Sequence, residues 1–91
     1  MAAYLVTYDL QRPACLYPGL LAQLSKFPDS YQGLDSSCLV LFDGTADDVR
    51  DELVPHLHPG DGLIVTALTQ DVASWTGLRP EARRWIHTHT S

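Results

Sequence analysis

The chain has 91 residues, 45% of them apolar, with a net charge of −5 from eleven acids against six bases. That length makes one domain, 1–91, and a chain of this size buries only about 60–65% of its unfolded surface, so a lone copy is marginal. The charge argues against a surface that grips nucleic acid through clustered Lys and Arg, because Arg12, Lys26 and Arg50 are scattered and only Arg79, Arg83 and Arg84 group together.

Ala3-Tyr4-Leu5-Val6-Thr7-Tyr8-Asp9 reads as a first strand that ends in a carboxylate, since Tyr, Val and Thr suit a pleated surface. Pro13 bars a regular continuation, so 10–17 is a loop. Pro18 opens a helix where its missing N–H costs nothing. Leu20, Leu21, Leu24 and Phe27 give that helix an apolar face, and Pro28-Asp29-Ser30 ends it. Ser30 to Leu34 is a short second strand, with Gly33 marking a bend or bulge. Asp35-Ser36 is a turn, and Ser37 to Phe42 is a third strand, apolar on both faces and stopped by Asp43-Gly44.

Thr45 reads as the N-cap of a second helix, with Asp48 three residues on completing a capping box. Asp47 and Asp48 suit the positive end of its dipole. Ala46, Val49, Leu53 and Leu57 form the buried stripe, and Pro55 kinks or shortens the end. His58 to Gly62 is a loop, and Leu63 to Leu68 is a fourth strand without polar alternation. The segment 69–74 leads away, Trp75 and Leu78 anchor the connection, and a final helix begins at Arg79-Pro80-Glu81. Ala82, Trp85, Ile86 and His89 share a face of that helix.

This order predicts an α+β fold, a ferredoxin-like βαββαβ antiparallel sheet built from two split βαβ halves over about 3–69, with an added C-terminal helix in 70–91. Right-handed crossovers put both main helices on one face. An antiparallel sheet with one wet face should alternate apolar and polar residues. The first, third and fourth strands do not, so the second face must be covered, by a second subunit or by the Trp75–Trp85 tail. A homodimer is the favoured expectation.

No apolar run is long enough to span a bilayer, and the N-terminus carries no basic segment leading into an apolar core. The expectation is a cytoplasmic protein without a membrane partner. Cys15 and Cys38 then read as reduced thiols, Cys38 buried mid-strand and Cys15 in a loop near Arg12.

Tyr4-Leu5-Val6-Thr7-Tyr8-Asp9-Leu10, within this element order, resembles the opening of the small CRISPR-associated spacer-acquisition endonucleases. Ser36-Ser37-Cys38-Leu39-Val40 is loosely similar to their third strand, and the chain also looks near the small ferredoxin-like antitoxin ribonucleases. The resemblance covers the arrangement of roughly the first 70 residues. It implies a ferredoxin-like homodimer of the kind used in antiviral defence. Some members cleave RNA or DNA with a metal, and others form a non-catalytic bridge. It implies Asp9 as catalytic residue and metal ligand facing its twin, with Mg²⁺ as cofactor and Mn²⁺ as substitute. Arg12, Ser36 and Ser37 would lie near the nucleic-acid phosphate. Arg12 and Lys26 replace a basic first helix and loop, and a Trp-containing segment and helix replace a swapped strand.

On chemistry alone, one Asp per subunit doubled by a two-fold axis supplies the oxygen ligands Mg²⁺ prefers. The competing reading is an Asp that satisfies loop amides at a strand end. His56-x-His58 and His87-x-His89 are two HxH pairs at helix ends, without a Cys or acid at zinc spacing. Arg79, Arg83 and Arg84 form either a phosphate contact or a solvated helix face. Two functions remain: a metal-dependent phosphodiesterase acting through Asp9, and a non-catalytic dimeric scaffold or protein-binding module.

Overall fold

The computed structural model describes residues 1–34, 36–68 and 77–89. Its strands are β1 (Ala2–Asp9), β2 (Asp29–Leu34), β3 (Ser37–Phe42) and β4 (Gly62–Leu68). Its helices are α1 (Pro18–Ser25), α2 (Ala46–Leu53) and α3 (Pro80–His89), with short 3-10 turns at Ala14–Leu16 and Val54–His56. The fold is α+β, and the four strands form one antiparallel sheet in the order β2-β3-β1-β4. The expected exit over 69–74 and the Trp75 anchor lie outside the described residues.

Local chemistry accounts for most boundaries. Pro18 occupies the first turn of α1. The helix stops at Ser25, short of Phe27, which is nevertheless buried in the core from the connection to β2. Leu21, expected on the apolar face, is half exposed. β2 begins at Asp29, one residue before the expected start. The Gly33 expectation holds, since the β2–β3 register slips between Tyr31 and Leu34. Thr45 caps α2 with the full reciprocal box: its hydroxyl accepts from the Asp48 amide at 3.2 Å and its own amide donates to Asp48 at 2.9 Å. Pro55 comes two residues after Leu53, the last α-helical residue, and sits in a 3-10 turn, the early finish its missing N–H demands.

Two packed layers explain why the strands are apolar on both sides. On the first face Tyr4, Val6, Cys38 and Val40 meet Leu20 and Leu24 of α1 and Val49 and Leu53 of α2. Both main helices therefore lie on one face, as expected. On the second face Ala3 and Leu39 are buried beneath Trp85 and Ile86 of α3, with Leu5, Tyr31, Leu41, Leu68 and Leu78 around them. The cover over this half comes from the same chain, which removes part of the argument for a second subunit. Along the other half of the face the register sets Ile64 opposite Thr7 and Thr66 opposite Leu5. Ile64 is 64% exposed there, and Thr7 and Thr66 are exposed too.

Candidate functional site

β1 is a central strand, flanked by β3 on one side and β4 on the other. Its final residue, Asp9, pairs with Gly62, where an added Cβ would make only an ordinary contact with the Asp9 Cβ at 3.7 Å. Side chains alternate along a strand, so Asp9 lies on the second face with Thr7, Leu5 and Ala3. It is exposed. Among the described residues its carboxylate takes no hydrogen bond or ion pair.

Ser37 and Ser36 flank Asp9 on the β3 side. Ser37 is registered opposite Thr7, diagonal to Asp9 on the same face, and the Ser36 carbonyl accepts the Tyr8 amide at 3.0 Å. Ser36 holds a left-handed backbone, φ 54°, at the turn into β3. That conformation carries a steric penalty for a residue with a Cβ. Arg12 lies on the other flank. Its guanidinium donates to the Pro59 carbonyl at 3.4 Å, which draws it toward the loop before β4. The four expected residues thus share one end of the sheet, laid out across β3, β1 and β4. They do not converge into a cage. Among the described residues no three His, Cys, Asp or Glu side chains are grouped to hold a metal.

The loop amides that the competing reading gives to Asp9 are held by another acid. Asp61 accepts from the Gln11 amide at 2.8 Å, the His58 amide at 2.7 Å and the Tyr17 hydroxyl at 2.8 and 2.9 Å. Partial burial alone would raise its pKa, but the Gln11 and His58 amides and the Tyr17 hydroxyl outweigh that and hold it below the ordinary carboxylate value. Burial pushes the Tyr17 phenol up, and the neighbouring carboxylate adds to this, while the nearby Arg12 opposes it. Tyr17 itself is 2% exposed and packs edge-on against His58, with ring centroids 4.8 Å apart. The clamp is presented by a type II turn. Pro59 and Gly60 are its central residues, Gly60 has φ 89°, and the Asp61 amide closes onto the His58 carbonyl at 3.1 Å.

Asp61 was not singled out from the sequence. The Pro59-Gly60 turn that presents it is a readable signal, but its bond to Gln11 crosses fifty residues of chain. Asp61 and Leu63 alternate onto the helix-covered face, opposite to Asp9, so the two carboxylates are not a ligand pair.

The histidines have separate tasks. His56 closes on Gly19 of α1, where even a Cβ would meet its ring at 2.8 Å. His58 Nε2 donates to the Leu16 carbonyl at 2.9 Å. His89 Nε2 meets Asp29 at 2.8 Å, tying the end of α3 to β2, and its ring packs at a tilt of 54° against Trp85. Among the described residues neither HxH pair belongs to a group of three or more His, Cys, Asp or Glu placed to hold a metal. Cys38 is fully buried in β3 and Cys15 is exposed. No family model, no curated protein and no solved structure matches the chain.

Proposed function

We propose that the protein is a ferredoxin-like homodimer that binds a divalent cation and a nucleic-acid phosphodiester at the end of β1 and hydrolyses RNA or DNA there. The observation that carries this reading is the exposed, unengaged carboxylate of Asp9. Its everyday alternative, holding the loop amides, is performed by Asp61. The strand order and the placement of α1 and α2 agree with two split βαβ halves. The uncovered half of the second face contains Asp9, Thr7 and Ile64. A second copy seated on that half by a two-fold axis brings the two Asp9 carboxylates toward each other.

The donor set is all oxygen, one carboxylate per subunit beside serine hydroxyls, which suits Mg²⁺ or Mn²⁺ keeping most of its waters. Such an ion, when bound, supplies a Lewis acid for the phosphoryl oxygen and lowers the pKa of a coordinated water. Asp9 holds the cation, Ser36 and Ser37 donate to phosphate oxygens on one flank, and Arg12 adds positive charge on the other.

A second reading keeps the dimer without the chemistry, as a scaffold or protein-binding module. The net charge of −5 and the engagement of Arg12 by a backbone carbonyl favour it. Labelled single-stranded RNA and double-stranded DNA, incubated with Mg²⁺ or Mn²⁺, separate the two. The expected result is cleavage by the parent that falls about a hundredfold or more in Asp9→Ala and Asp9→Asn, with the fold retained. A parent that is folded, dimeric and inert leaves the scaffold.

A further inference from the structure

We propose that Asp61 is a positioning residue for the Asp9 end of the sheet: through the Gln11 amide and the turn that holds the Arg12 guanidinium it fixes the loop that carries Arg12, without touching metal or nucleic acid. This rests on the reading of that end as a phosphodiester site.

The Gln11 peptide group lies just past the end of β1, and its amide donates to Asp61 at 2.8 Å. The Tyr17 hydroxyl in turn donates to Asp61. The Gln11 amide of an exposed loop and the hydroxyl of the buried Tyr17 ring are therefore tied to a single carboxylate. On the far side that carboxylate accepts the His58 amide, and the Pro59 carbonyl in the same turn takes the Arg12 guanidinium at 3.4 Å. The stem of Arg12 and its charged end are both referenced to the turn that Asp61 organises.

The loop is held at the Gln11 amide by Asp61 and at the Arg12 guanidinium by the Pro59 carbonyl of the turn that the same carboxylate organises, so loosening the turn moves both. Charge-assisted bonds to a carboxylate are the stronger class of hydrogen bond. Asp61 lies on the opposite face from Asp9, so its influence on the site runs through the chain and not through direct coordination. Replacing it by Asn turns one acceptor oxygen into an NH₂ that confronts an N–H donor, which loosens the clamp without changing the size of the side chain.

The experiment is a double-mutant cycle on the full chain between Asp61→Asn and Arg12→Ala. It reads binding of a short fluorescein-labelled RNA in Mg²⁺ by anisotropy, together with kcat and KM for its cleavage. The expected result is that Asp61→Asn raises Kd and KM about tenfold with kcat little changed, and adds less than about twofold once Arg12 is Ala. A residue important only for folding would act equally in both backgrounds, and that outcome overturns the proposal. Tyr17→Phe, which keeps the ring and removes the hydroxyl, must follow the same non-additive pattern; it decides the matter if Asp61→Asn does not fold. A parent that neither binds nor cuts the RNA overturns both this inference and the reading beneath it. A parent that does both, with Asp61→Asn indistinguishable from it, overturns the positioning role alone.

Discussion

The two cysteines of the chain sit in opposite surroundings, and the contrast is measurable. Cys38 is enclosed in β3, and burial pushes its thiol up to about 12. Cys15 is exposed. A thiolate is the reacting species in disulfide exchange. Ellman's reagent is therefore expected to titrate one thiol per native chain, with the second appearing only in denaturant; two native thiols would show that β3 opens readily. The acids Asp48 and Asp61 give the corresponding test in pH. Asp48 is held low by the Thr45 amide and hydroxyl, and Asp61 by its three donors against the raising effect of burial. Both lie below their ordinary value of 3.8 in the folded protein. Their stabilisation is thus present above that value and is lost as the pH falls through the lower, folded values. Melting temperature against pH should show a steep acid limb for the parent. It should be shallower in Asp48→Asn and Asp61→Asn, which start lower at neutral pH. An unchanged limb in both variants would place the acid lability elsewhere.

Among the described helices, α3 is the one that packs on the second face of the sheet. Three residues, Ala82, Trp85 and Ile86, are buried on one side of it. The indole N–H of Trp85 is enclosed with no acceptor among the described residues. An unpaired buried donor costs about 1–3 kcal/mol, whereas deleting a large aromatic side chain costs about 3–5 kcal/mol. Trp85→Phe keeps most of the ring contact and sheds the orphan donor, so it should destabilise by less than about 1 kcal/mol in urea unfolding, and Trp85→Ala by several times more. Equal losses would mean that the indole nitrogen has a partner after all. The helix was readable from Arg79-Pro80-Glu81 and the spacing of Ala82, Trp85 and Ile86, because those signals are local. Its placement over Ala3 and Leu39 was readable only as one of two alternatives. Both a tail and a second subunit satisfy strands that are apolar on two sides, and periodicity carries no information about which chain supplies the cover. The same limit explains Leu21 and Phe27. Helical spacing put both on one face, but the helix ends at Ser25, so Phe27 is buried from outside it while Leu21 turns to solvent.

For the whole molecule, the sheet divides into a half that the chain covers itself and a half that it leaves open. The proposed dimer uses the open half, where Ile64 is 64% exposed. Placing a charge there should cost little in the monomer, since nothing is buried by it, and much in an interface. Sedimentation velocity should find the parent dimeric and Ile64→Lys monomeric, with unchanged far-ultraviolet circular dichroism. A parent that sediments as a monomer at micromolar concentration removes the two-fold axis, and with it the pairing of the Asp9 carboxylates. The order of elements and the candidate end of β1 were legible because strand-ending acids, Pro-opened helices and capping boxes are written in consecutive residues. The Asp61 clamp was not, because its members, Gln11, Tyr17, His58 and Asp61, are joined only when the sheet brings β1 beside β4.

The position of α3 has a consequence for how the protein is made. The residues it buries most completely lie on β1, at the beginning of the sequence, and β3, in its middle. On a ribosome both emerge well before residues 80–89, so a nascent sheet shows Ala3, Leu39 and Leu41 to the cell until the helix arrives. Synthesis proceeds at about 5–20 residues per second, which leaves that apolar strip open for seconds. During that interval the strip offers a hydrophobic surface to a chaperone or to a neighbouring nascent chain. Slow codons between β4 and α3 would lengthen the exposure without altering one atom of the finished protein.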